Sequence, residues 1–380
     1  MRRLKIVYVI DCGLSYGGAP QSTCVLAEEM SQNHEVYMLM PKTEDKGYQN
    51  ITFIQLSKFK DIFPFIFRSP LKAFLLVKEI YKEIKRINPD IIHAQTPRGA
   101  RALGLLKMMG LIKVPLIYTE REYVTGLRKI YQLLYSILVA RPYDMIICLS
   151  KKSVPFWLKY RKDGVVTIPN PGGREYDIYS EKDRDKAIAH VEQFDSENIN
   201  VLFVGRHITT KRWDLVEKII YSYNKSFPKG KVHFYIAVAF GNNDIKAKEM
   251  IERMLTQKNV TVYPNADVSM MSNLYYSCDL HLITSSIESF GRTAIEAMSR
   301  KCAVYSTDAG AISETIGDMN YILPPDVDKF VNVISKYEKD KVQLESVKLK
   351  MFQRYHSLYT TEANYQANMK VYLNLLNYII

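Results

Sequence analysis

At 380 residues, 47% of them apolar, the chain is long enough for two hydrophobic cores, and no apolar run approaches the roughly 20 residues that a membrane-crossing helix needs. Its formal net charge of +12 is one-sided: residues 1–162 hold 26 of the 52 Lys and Arg but only 13 of the 40 Asp and Glu, so the rest of the chain is close to neutral. The five cysteines (Cys12, Cys24, Cys148, Cys278, Cys302) form no C-x-x-C pair, which argues against a zinc site or a disulfide framework and for buried thiols in a reducing compartment.

Asp11 interrupts the opening apolar run and no small-residue cleavage site follows it, so residues 5–10 read as a first strand rather than a leader. Short apolar runs then alternate with helical patterns. Strands are expected at 35–40, 51–56, 91–93, 115–119, 145–149 and 165–168, with helices at 21–33, 71–88, 98–109, 130–140 and 152–160. Pro and Gly punctuation over 168–173 and the charged stretch 181–186 mark the linker. Alternation restarts with strands at 201–204, 232–238, 260–262, 280–284 and 303–306, and helices at 213–226, 244–256, 268–277 and 326–337. A last apolar helix spans about 361–380. Such alternation implies parallel sheets covered by helices on both faces, in two domains at 1–165 and 175–360.

Three segments carry candidate chemistry. The segment Ser286-Ile-Glu288-Ser289-Phe290-Gly291-Arg292-Thr293-Ala-Ile-Glu296 follows an apolar strand and opens a helix. One carboxylate precedes the helix and the second is expected about two turns inside it. The free N–H groups of the first turn, Phe290–Thr293, attract phosphate. Next, Phe203-Val-Gly-Arg206-His-Ile-Thr-Thr-Lys211 places two cations just after a strand, where they can neutralise charge on a departing diphosphate. Finally, Gly17 and Gly18 between the first strand and the first helix let backbone N–H groups approach a ligand closely. Their pattern is not the dinucleotide-binding fingerprint.

Glu288 and Glu296 stand in an E-x7-E spacing. Together with Phe290-Gly291, Ala297-Met298 and Gly310-x-x-x-Glu314 they resemble the retaining GT-B glycosyltransferases of the group 1 family. The resemblance implies an α/β GT-B fold, two Rossmann-like doubly wound domains facing a central cleft, with the C-terminal helix crossing back to the first domain and closure over the donor. It implies transfer of a sugar from a nucleotide-diphosphate donor, UDP- or GDP-linked, to a glycan, lipid-linked or cell-wall acceptor. In this reading Arg206 and Lys211 clamp the diphosphate, Glu288 holds the transferred sugar, Glu296 the ribose, and Ser289, Phe290, Gly291, Arg292, Thr293, Gly17 and Gly18 line the donor. No metal or other cofactor is implied, and the D-x-D strings at Asp183/Asp185 and Asp326/Asp328 read as chance.

His93, in a Pro-Asp-x-x-His element, resembles a family position on the acceptor or sugar side, and Arg121, beside Glu120 on the same side, falls where relatives carry a second histidine. Arg121 there suits an acidic or phosphorylated group. Ala239 and Pro264 depart from the family's glycine pattern around the nucleotide, so the base stays open. A non-catalytic glycan-binding or chaperone protein and a sugar-nucleotide epimerase are the alternative readings.

The basic half brings no nucleic-acid-binding motif. Its aromatic and cationic residues interleave over 58–72 and 127–135, which suits the anionic inner face of a membrane. A cytoplasmic protein of cell-envelope polysaccharide synthesis, peripherally bound, is expected.

Overall fold

In a computed structural model the chain divides into two compact units, Met1–Gly173 with Thr360–Ile380, and Arg174–Tyr359. The structure describes residues 2–13, 18–41, 48, 50–57, 70–121 and 124–377. Gly17 and Glu122 lie outside the described residues, as do residues 58–69 of the aromatic and basic segment.

The first unit runs β1 (Lys5–Val9), α1 (Gly18–Ser31), β2 (Glu35–Met40), β3 (Ile51–Gln55), α2 (Pro70–Ile87), β4 (Ile91–Ala94), α3 (Pro97–Met108) and β5 (Leu116–Glu120). It continues with α4 (Lys129–Tyr135), β6 (Met145–Cys148), α5 (Val154–Leu158) and β7 (Val165–Thr167). All strands pair in parallel, in the order β3-β2-β1-β4-β5-β6-β7. The strands are apolar at nearly every position because helices cover both faces. Val7 and Val9 of β1 join the core beneath α2, α3 and α4, while Ile6 and Tyr8 join the core on the other face, beneath α1.

The second unit opens with α6 (Arg174–Asp177) and α7 (Glu181–Ile188). It continues as β8 (Ile199–Arg206), α8 (Trp213–Ser226), β9 (Val232–Ala239), α9 (Ile245–Leu255), β10 (Val260–Pro264), α10 (Val268–Ser277) and β11 (Leu280–Ile283). Then follow α11 (Arg292–Ser299), β12 (Ala303–Thr307), α12 (Ile312–Ile316), β13 (Ile322–Leu323), α13 (Val327–Lys339) and α14 (Lys341–Leu358). Its parallel sheet has the order β10-β9-β8-β11-β12-β13. The chain then enters α15 (Thr361–Asn377), which belongs to the first unit. There Met369, Val371 and Tyr372 join the core around Ile6 and Tyr8, and the Tyr8 and Tyr372 hydroxyls meet at 3.0 Å.

Two elements differ from the sequence expectation. The charged stretch 181–186 is not linker: it forms the body of α7, capped where Ser180 Oγ accepts the Asp183 N–H at 3.0 Å. The first unit ends instead at Gly173, within the Pro and Gly punctuation. The helix α14 escaped notice because its pattern is inverted in places. Val342 and Leu349 are exposed, whereas Lys348 is buried with its ammonium 3.0 Å from Asp279.

Both sheets reverse winding direction next to their first strand, between β1 and β4 in one unit and between β8 and β11 in the other. At such a reversal the connections leave on opposite faces, and a crevice opens at the carboxyl ends of the two strands. In the second unit the β8–β11 ladder registers Leu280 with Val201 and His281 with Leu202 and goes no further. β8 itself continues to Arg206.

Candidate active site

At the crevice of the second sheet Lys211 meets Glu288, and Arg206 ends the neighbouring strand. Arg206 ends β8 and is exposed, and it makes no ion pair among the described residues. The chain then turns through a short 3-10 segment, Thr209–Lys211, and Arg212 takes a left-handed conformation (φ 54°) to start α8. This reversal carries the Lys211 side chain back over Gly205, where an added Cβ would stand 3.1 Å from Lys211 Cγ and Cδ. Glycine before Arg206 therefore gives the lysine stem its path. Lys211 Nζ forms an ion pair with Glu288 Oε1, both side chains being less than one-fifth exposed.

The loop after β11 is tied to the same turn. Thr284 Oγ1 donates to Lys211 O at 2.9 Å and the Ser286 N–H donates to Thr210 O at 2.8 Å. Ser285 Oγ donates to Glu288 Oε1 at 2.8 Å, fixing the carboxylate. Gly310 (φ +60°) packs against the backbone of Glu288: an added Cβ would lie 2.2 Å from its carbonyl oxygen. The Ala311 N–H donates to that same oxygen at 3.0 Å.

Gly291, left-handed at φ 89°, stands at the head of α11, and no side chain caps that helix. The Phe290 side chain is core, packed edge-on to Tyr359 at 5.9 Å, so only its backbone is available to a ligand. Ser289 is exposed beside it, and Thr293 is half-buried in the first turn. Glu296 is one turn into α11, not two, because the helix begins at Arg292. Its carboxylate receives Arg292 Nε at 3.0 Å and the Tyr275 hydroxyl at 3.1 Å. Thus Arg292 folds back onto its own helix and holds Glu296. Burial and the Glu296 charge together push the Tyr275 phenol well above its ordinary pKa, so it stays a donor.

Sequence reasoning missed Ser285 and Tyr275. Ser285 had a signal, the small polar pair that follows the strand; Tyr275 had none, since it arrives from α10.

The residues assigned to the acceptor side divide. His93 is fully buried, with Nδ1 2.7 Å from Tyr372 OH and Nε2 2.7 Å from Thr119 Oγ1. Burial, reinforced by the Arg121 charge, holds its pKa well below the ordinary imidazole value. It therefore anchors α15 to the sheet, and neither ring nitrogen is open to a sugar. Glu120 is likewise internal: Trp157 Nε1 donates to it at 2.6 Å, and burial raises its pKa. Arg121 does reach the carboxyl end of the first sheet. Its guanidinium grips Gln95 Oε1 at 2.6 Å and Asn170 Oδ1 at 2.6 Å, and the buried Gln95 Nε2 has no hydrogen-bond partner among the described residues. Gly18 begins α1 at the same edge. Cys12 is half-buried there, its thiol pushed up to about 12 by burial and by Asp11, which disfavours the thiolate.

Residues 184–354 match the family described as Glycosyl transferases group 1, and residues 16–171 match Glycosyltransferase Family 4. Each unit thus carries a glycosyltransferase family match, family 4 in the first and group 1 in the second, and the fold is GT-B. Sulfoquinovosyl transferase SQD2 of Arabidopsis thaliana is 24% identical over 266 residues, covering 67% of this chain and 49% of that protein. The chain thus spans about half the length of this curated relative. Among solved structures, Anabaena Alr3699/HepE in complex with UDP and glucose superposes with a TM-score of 0.78 at 16% identity, over 97% of this chain and 99% of that one. A glycosyltransferase from Rickettsia africae ESF-5 gives 0.80 at 16% identity over 99% of both chains. At such identities the likeness is one of fold.

Proposed function

We propose that this GT-B protein moves a sugar from a nucleotide-diphosphate donor to a hydroxyl acceptor with retention of anomeric configuration. The observation that carries the reading is the Lys211–Glu288 ion pair at the winding reversal of the second sheet, with Arg206 at the end of β8 and the uncapped α11 opening four residues after Glu288. Two cations and a helix N-terminus suit a pyrophosphate, because each offsets charge that grows as the sugar departs. Glu288, oriented by Ser285 and Lys211, accepts hydrogen bonds from the transferred sugar. Glu296, oriented by Arg292 and Tyr275, accepts them from the ribose diol. The leaving phosphate takes the acceptor proton on the face that the acceptor attacks, so no protein base is assigned. The donor groups are all protein-derived, and no metal is invoked.

The crystallisation of Anabaena HepE with UDP and glucose supports a UDP-sugar as the first donor to try. A glycan or lipid-linked acceptor of cell-envelope synthesis approaches the first unit's carboxyl edge, where Arg121 favours an acidic or phosphorylated group. The five free thiols suit the cytoplasm.

A panel of UDP-, GDP- and ADP-sugars tests the reading. We expect one donor to release free nucleotide, by slow hydrolysis alone and faster with a glycan or lipid-linked acceptor. Isomerised nucleotide sugar without release would make the protein an epimerase, and no turnover of any donor together with no nucleotide binding would make it non-catalytic.

A further inference from the structure

We propose that the outer surface of the helical layer built by α3 and α4 docks on an anionic lipid bilayer. This inference stands independently of the sugar-transfer reading. α3 and α4 cover one face of the first sheet, together with α2. The chain of α4 runs on as a π-helical turn, Ser136–Ala140, and packs against α3 at Gly104, where an added Cβ would lie 1.6 Å from Leu138 O. Arg101 lies over the Tyr135 ring at 5.8 Å along the same seam. The two helices therefore form one continuous ridge.

The outward side of that ridge is apolar where a solvated helix would be polar. Leu105 and Met108 of α3 are 40% and 55% exposed, and Ile130 and Leu133 of α4 are 53% and 51% exposed. Met109 and Leu111 extend the surface past the end of α3. Within each helix these residues are spaced three residues apart and so lie on one side. None of them is needed to fill the core, which α3 completes with Ala100, Leu103 and Leu106.

The rim is cationic. Lys113, Arg128, Lys129 and Arg141 are all exposed around the ridge. Between Pro97 and Arg141 the sequence has only two acids, Glu120 and Glu122, and Glu120 is buried under Trp157. An apolar surface bordered by cations and nearly free of carboxylates is complementary to an anionic headgroup layer with hydrocarbon beneath it. A protein partner of ordinary composition would bring acids at discrete points; a lipid surface supplies them everywhere. No helix among the described residues is long and apolar enough to cross a membrane, so the contact is interfacial.

Flotation of the full chain with vesicles tests this. The protein is expected to float with phosphatidylcholine vesicles that contain phosphatidylglycerol, at low salt, and to be released by high salt or by omission of the anionic lipid. Each removed cation weakens partition about fivefold, so R128E/K129E loses at least tenfold. M108E/L133E loses binding through the apolar surface, while its thermal unfolding and nucleotide-sugar turnover in solution match wild type. Failure of the wild-type chain to float overturns the proposal, as does equal binding of neutral vesicles or unchanged binding by both variants. Concentration-dependent dimerisation abolished by M108E/L133E would assign the surface to a second copy of the chain, and would also overturn it.

Discussion

Lys211→Ala is expected to lower donor turnover by about a hundredfold, the usual effect of removing one preorganised charge that faces a developing anion. Lys211 pairs with Glu288, which precedes by three residues the left-handed Gly291 at the head of α11. Both partners are less than one-fifth exposed, so truncating the lysine also leaves a carboxylate poorly solvated, at a cost of about 1–3 kcal/mol in stability. The two contributions separate in a double-mutant cycle. Lys211→Met with Glu288→Gln removes both charges and keeps the volumes, so thermal stability should return to near the wild-type value. Turnover should not return, because in the proposed mechanism the lost cation faces the leaving group. Near-normal turnover in Lys211→Ala, or recovery of activity in the neutral pair, would reduce the ion pair to a structural one.

Gly310→Ala should cost stability and activity together, through Glu288. Gly310 has φ +60°, and a Cβ there would stand 2.2 Å from the Glu288 carbonyl oxygen, a backbone atom that the Ala311 N–H already holds. The strain of the left-handed conformation and the collision add to about 2–4 kcal/mol. Relieving the collision moves the loop that presents the Glu288 carboxylate, so turnover should fall tenfold or more. Gly110→Ala is the matched control. Its φ is +72°, yet an added Cβ meets nothing within 4 Å, so only the conformational cost of about 1 kcal/mol remains. Differential scanning calorimetry of the two variants, with turnover measured on each, checks the comparison. Equal destabilisation by both would show that the Glu288 loop yields freely.

The fold was legible in the sequence because parallel strands buried on both faces read as short apolar runs, and the helices between them kept one apolar stripe. Where that physics lapsed, reading lapsed with it. Lys348 is buried because Asp279 meets it from another element, and Val342 is exposed, so α14 carries no clean stripe. α7 is nearly all charged and owes its existence to the Ser180 cap and to packing against α10. The turn from Glu288 through Gly291 into α11 was readable, since a loop-to-helix turn is local. Partnerships between segments were not. Nothing along the chain shows that Lys211 meets Glu288, or that Tyr275 reaches Glu296. His93 has the look of a polar site residue at a strand end. Only the arrival of Tyr372, 279 residues later, makes it a buried packing group.

The proposed sugar transfer requires Arg206, Lys211 and the head of α11 to grip a pyrophosphate together. Crystals soaked with UDP or GDP test it most directly. The β-phosphate is expected within hydrogen-bond reach of Lys211 Nζ and the N–H groups of Arg292 and Thr293, with Arg206 turned onto it. A nucleotide bound elsewhere, with those groups still facing water, would contradict the proposal.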